Sequence, residues 1–176
     1  MLRALAIDSV LVASSAYFVI WFYQPLLTRL LVPVAYFGFI HAGFVGCQVL
    51  ISANFRLVEK IIGRGQKYLA MSALLTSLSF IFVAIYPQLI SIFLLILLAG
   101  GLGLTRLTYV TNLAHRYIKS AERATVLSSM SMLRRFALII LNPLVGFTAD
   151  RSLPLALFLV GLIPLGTFLF SVKKVR

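Results

Sequence analysis

The stretch "SAERATVLSSMSMLRRFALIILNPLVGFTAD", Ser120 to Asp150, decides how the chain is read. Between Ala124 and Thr148 it is apolar enough for a helix in lipid, yet Arg134 and Arg135 stand near its middle. A membrane helix needs about 20 mostly apolar residues. Only fourteen residues separate Arg135 from Asp150, so moving either arginine into a loop leaves a helix too short to span. An arginine at the centre of a span costs about 2.5–3.5 kcal/mol on insertion scales. Something must meet those two guanidinium groups.

Working outward, composition sets the surroundings. Of 176 residues, 61% are hydrophobic and 11% charged, whereas a soluble domain is about half apolar and about a quarter charged. An integral protein of the lipid bilayer is expected. Sixteen Lys and Arg against four acids give a net charge of +12. These cations fall in short clusters between apolar runs, which is topology information. Nucleic acid needs a continuous basic face, so no nucleic-acid partner is expected. Cys47 is the only cysteine, which excludes an intramolecular disulfide and a thiolate metal site; neither metal nor cofactor is expected. The first apolar run, Leu11 to Leu31, is too long for a signal-peptide core and lacks a small-residue cleavage site. It reads as a span.

Six transmembrane helices are placed near 6–29, 34–55, 68–86, 89–113, 124–148 and 154–172, in a single domain covering 1–176. Pro33, "RLVEKIIGRGQK" (Arg56 to Lys67), "YPQ" (Tyr86 to Gln88), "AHRYIKSAER" (Ala114 to Arg123) and "DRSLP" (Asp150 to Pro154) separate them. Arg3, Arg56, Lys60, Arg64, Lys67, Arg116, Lys119, Arg123, Lys173, Lys174 and Arg176 then lie on one side, and only Arg29 and Arg151 on the other. That split puts both termini in the cytoplasm, and an even number of spans agrees with both ends lying on one side.

Polar side chains divide the spans unevenly. The first carries Tyr17, Trp21 and Gln24, the second His41 and Gln48, the fourth Arg106, Tyr109 and Asn112, and the fifth Arg134, Arg135 and Asn142. The third and sixth go no further than hydroxyls such as Ser72, Thr76 and Thr167. The order wet, wet, dry repeats, as expected of two three-helix repeats around a cavity.

At about 100° per residue, Ser128, Ser131, Arg135, Asn142 and Gly146 share roughly a 60° sector of the fifth helix, with Arg134 at its edge. Arg135 is the candidate cavity cation, and Arg134 the one more easily satisfied by snorkelling or backbone carbonyls. His41, Gln48 and Ser52 lie within roughly 40° of one another. His41 is either a proton-coupling group, its unperturbed pKa being near 6.5, or a plain hydrogen-bond partner. Gly43 and Gly46 on other faces, and "GGLGL" (Gly100 to Leu104), suit close helix packing. Tyr17, Trp21, Gln24 and Thr28 form a stripe that serves either the cavity or packing, and Pro25 is expected to kink the helix. Arg106 lies toward the cytoplasmic end, where snorkelling competes with a role at the site. Ser120 is the expected N-cap of the fifth helix, with Glu122 in its first turn.

The 120–150 segment resembles the loop and eleventh helix of major facilitator superfamily transporters, in which "RATVLS" leads into a helix with mid-span arginine and "PL-G---D" leads out. "YQPLL" (Tyr23 to Leu27) is similar to the end of the seventh helix of that family. "SANFRLVEKIIGRGQK" sits where its glycine-and-basic loop motif falls, but keeps only Gly63, Arg64 and Lys67 of it. The resemblance covers essentially the whole chain as a C-terminal six-helix half. It implies an N-terminal six-helix half, or a second copy, facing the polar stripes, with a small-molecule substrate moved between them by alternating access.

The expected function is half of a secondary active transporter in the cell (inner) membrane. The alternative is a non-transporting membrane subunit or scaffold of the same half-fold. An enzyme is not expected: the chain has no Gly-x-Ser-x-Gly, no His-Glu-x-x-His and no intramembrane acid pair, and no catalytic residue is assigned. The candidate lining residues are Arg135, Asn142, Ser131, His41, Gln48, Tyr17, Gln24, Arg106 and Tyr109. Cations without a buried acid suit an anionic or neutral solute better than a cation.

Overall fold

A computed structural model describes residues 2–115, Ile118 and 122–173. Among them the chain is helical throughout, with no strand. The helices are α1 (Leu2–Tyr17), α2 (Val19–Arg29), α3 (Phe37–Ala53), α4 (Phe55–Ile62), α5 (Gln66–Ile85), α6 (Leu89–Leu95), α7 (Leu104–Ala114), α8 (Arg123–Arg151) and α9 (Leu153–Lys173). A π-helical segment, Ile96–Gly103, joins α6 to α7. Five stretches are long and apolar enough to cross a membrane: Ala6–Arg29, Val34–Ala53, Gln66–Ile85, Leu89–Leu113 and Arg123–Arg151. The apolar stretch of α9, Leu153–Leu169, is shorter.

Each expected span falls on helix, and the differences lie in the joints. The first span is interrupted at Phe18, seven residues before Pro25. The carbonyl that Pro25 leaves without a donor is that of Trp21; the break lies earlier, where Phe18 N–H bonds Ser15 O and Trp21 N–H bonds Phe18 O, each at 3.1 Å. The expected loop from Arg56 begins instead as α4, because its apolar residues recur at helical spacing. Phe55, Val58 and Ile62 pack on Tyr68, Leu69 and Val110, while Leu57 and Ile61 stay exposed. "DRSLP" reduces to Ser152 alone, whose Oγ accepts Leu155 N–H at 3.4 Å as α9 begins. Ser120, Arg116, Lys119, Lys174 and Arg176 lie outside the described residues; α8 starts at Arg123 after Glu122, which makes no side-chain cap.

The two spans read as dry form the packed centre. α5 and α9 make the most extensive helix pair, with Gly161 set against Phe80 and Ile81. Phe22, Tyr23 and Leu26 of α2, Val83 of α5, Leu95 of α6 and Leu157 of α9 bury one continuous apolar core. Hydroxyls let the backbones come close while satisfying themselves on carbonyls. Ser15 Oγ donates to Val160 O at 2.7 Å across α1 and α9, and Ser79 Oγ to Thr76 O at 2.8 Å.

The glycines of the π segment admit neighbours. A Cβ at Gly103 would lie 2.8 Å from Ala16 Cβ and 2.8 Å from Thr76 Oγ1, and one at Gly101 2.7 Å from Ile51 Cδ1. Phe44 occupies the space over Gly100. By contrast a Cβ at Gly43 or Gly46 meets nothing within 4 Å. α3 docks on the π segment through Phe44 and Ile51, which turns those two glycines to open space.

α3 and α8 flank this body. α3 leans on the π segment and α7, whereas α8 leans on α1 and α9. None of the α8 residues is buried.

Candidate functional site

Polar chemistry gathers in three places. The first lies at the end of the bundle that carries the basic 56–67 segment, here the basic end. Arg106 on α7 is fully buried rather than extended to an interface. Its Nη2 donates to Asp8 Oδ2 on α1, and its Nη1 donates to Leu69 O and Ser72 Oγ on α5. The pair thus ties three helices together one to two turns inside α5. The Asp8 side chain is 15% exposed and that of Arg106 0%, so the charges compensate each other in a largely buried setting. Asp8 Oδ1 and Arg106 Nε are buried without a protein partner.

Asp8 corrects the expectation of a chain with no buried acid. It is the third residue of the first expected span, and its cation is ninety-eight positions away. The charge pattern alone held a signal. Arg106 is a cation inside an apolar run, and such groups pair with an opposite charge. With four acids in the chain, Asp8 is the one within a span.

Tyr109, one turn beyond Arg106, anchors the basic loop. Its hydroxyl donates to Glu59 Oε1 at 2.8 Å and accepts Gly65 N–H at 2.8 Å. Arg64 Nε stands 3.6 Å from Glu59 Oε2. The ring packs on Tyr68, centroids 4.2 Å apart. Tyr109 was expected on a cavity wall; the structure places it between α7 and the α4–α5 turn. Tyr109→Phe removes both hydroxyl bonds and keeps the ring. It is expected to lower stability by about 1–2 kcal/mol, measured by the unfolding midpoint of the purified chain in detergent.

The second cluster joins the first two spans. Tyr23 Oη lies 3.0 Å from His41 Nδ1 and accepts a hydrogen bond from Gln24 Nε2 at 3.0 Å. The tyrosine donates to Nδ1 when the imidazole carries its proton on Nε2. The two rings also stack, centroids 6.0 Å apart. His41 and Gln24 are exposed while Tyr23 is buried. Tyr23 was legible only as part of "YQPLL"; its role as the link follows from helix contact.

The third place is α8. Leu138, Leu141, Val145 and Ala149 pack against the core, and their spacing of three and four residues defines one face. Arg134 falls on that side and is half-buried, Ser131 is intermediate, and Arg135 and Asn142, on the flank of that face, are exposed. Tyr17 and Gln48 are likewise intermediate.

The nine candidates therefore do not form one enclosed pocket within this chain. Two shallow crevices, of about 160 and 200 Å³, touch none of them. One lies by Leu26, Arg29 and Leu157, the other by Ile51, Ile61 and Leu102. Among the described residues no group of three or more His, Cys, Asp or Glu could hold a metal ion. Comparison with protein-family models, curated proteins and solved structures returns no match.

Proposed function

We propose that this chain is one six-helix half of a secondary active transporter of the major facilitator type, built of two three-helix repeats. It sits in the cell (inner) membrane with both termini cytoplasmic. It moves a small solute by alternating access against a second six-helix half. One observation carries this reading: α8 leaves Arg135 and Asn142 exposed near the middle of its length. A guanidinium at that depth persists only against water or protein, so the face is built to be covered or wetted. His41 and Gln24 are exposed on the first two spans, which supports a face of more than one helix. The packed α5–α9 pair supplies the rigid back.

The test is accumulation of labelled anionic and neutral solutes by cells producing the chain together with a second six-helix half. Arg135→Ala is expected to cut the rate about 10- to 100-fold, the worth of a hydrogen bond to a charged group. Unchanged transport removes Arg135 from the path. A non-transporting subunit of the same half-fold is the second reading. It is favoured by the two crevices described, about 160 and 200 Å³, neither of which touches a candidate residue. Failure of every solute to move, with both halves present and inserted, decides for it.

A further inference from the structure

A charge ledger narrows what covers α8. The chain has four acids, Asp8, Glu59, Glu122 and Asp150, and all four are described. Asp8 is taken by Arg106, and Glu59 by Tyr109 and Arg64. Glu122 precedes α8, and Asp150 is its penultimate residue. At 1.5 Å per residue, Glu122 lies about 20 Å along the helix from Arg135, and Asp150 about 22 Å. α8 has 29 residues, a length of about 43 Å, so a 30 Å hydrocarbon layer centred on it leaves Arg135 about 3 Å from the mid-plane. No carboxylate of this chain reaches that depth.

A second copy does not repair the deficit. In either orientation its Glu122 and Asp150 sit at helix ends, its Glu59 on the short surface helix α4, and its Asp8 inside its own α1–α5–α7 contact. Two successive guanidiniums also repel each other where the dielectric is low. A carboxylate meets an exposed arginine with two parallel N–H···O bonds, which an uncharged helix cannot do.

We infer that the α8 face around Arg135 docks a different membrane protein, one whose spanning helix carries an Asp or Glu near mid-depth. This rests on the membrane placement of the transporter reading and narrows its partner from "a second half or a second copy" to a heterologous, acid-bearing one. Asn142, exposed in the same sector two turns along α8, adds a second polar group to that face. Arg134, half-buried beside it, holds the local potential positive.

The experiment reconstitutes the fluorescently labelled full chain in uncharged phosphatidylcholine vesicles. The probes are single-span polyleucine peptides with Asp at the centre, Asp near one end, or no acid, and energy transfer reports association. The central-Asp peptide is expected to associate at least tenfold more tightly than the acid-free one, and Arg135→Ala to abolish the difference. Arg135→Lys keeps the charge at the same depth and is expected to retain part of it, which shows that a folded chain is being read. Equal association of the three peptides overturns the inference. So does Arg135-dependent energy transfer between two copies of the chain itself. Transport is not the readout: central-Asp association without transport alongside any partner leaves this inference standing and removes the transporter reading.

Discussion

Arg106→Leu destabilises the bundle by about 3–5 kcal/mol, the usual cost of stranding one member of a buried ion pair. The reason is local. Arg106 is fully buried, and its loss leaves Asp8 without a cation and the Leu69 carbonyl without its cross-helix donor. Asp8→Leu is expected to cost a similar amount, because the guanidinium then stays buried with only Ser72 and Leu69 O around it. The double replacement is the informative one. Exchanging a buried pair for apolar groups of similar volume is often neutral or better. Asp8→Leu with Arg106→Leu is therefore expected to regain most of the loss. Reversible unfolding of the wild type and the three variants in SDS–detergent mixtures gives the cycle. Additive costs, or single-variant losses below about 1 kcal/mol, would mean that the pair does not hold α1 to α7.

The second large effect comes from volume. Gly103→Val places branched carbon where Ala16 Cβ and Thr76 Oγ1 already stand 2.8 Å from a bare Cβ position. Three helices meet there, so relief in one direction compresses another. A cost of about 3 kcal/mol, at the upper end for overpacking, is expected. Gly103→Ala is milder, and Ala16→Gly in the same chain returns part of its loss by removing one of the two obstructing atoms. Gly43→Val is the control. Nothing lies within 4 Å of its Cβ position, and it stays within about 0.5 kcal/mol. Thermal unfolding in detergent ranks the variants, and equal losses at 103 and 43 would remove the close approach from the account.

The placement of helices was legible because apolar runs of membrane length and clustered Lys and Arg are strong, local signals. The same locality set the limit. Asp8 and Arg106 belong to different helices, and nothing in either neighbourhood states that α1 crosses α7 at that level. α4 was hidden because "RLVEKIIGRGQK" is dense in charge, although Phe55, Val58 and Ile62 recur on one face. Gly43 and Gly46 looked like packing glycines by composition, yet the side of α3 that docks was set by Phe44 and Ile51. On α8 the angle between successive residues separates Arg134 from Arg135, and the structure leaves the first half-buried and the second exposed.

The π segment, Ile96–Gly103, holds no ionisable group, yet it runs directly into α7 and fixes its azimuth. Its wider turns set the phase at which α7 emerges, and with it the bearing of Arg106 and of Tyr109. Tightening those turns to ordinary α geometry would rotate α7 like a key in a barrel. The guanidinium would swing off Asp8, and the phenol off Glu59 and the α4–α5 turn, in one movement.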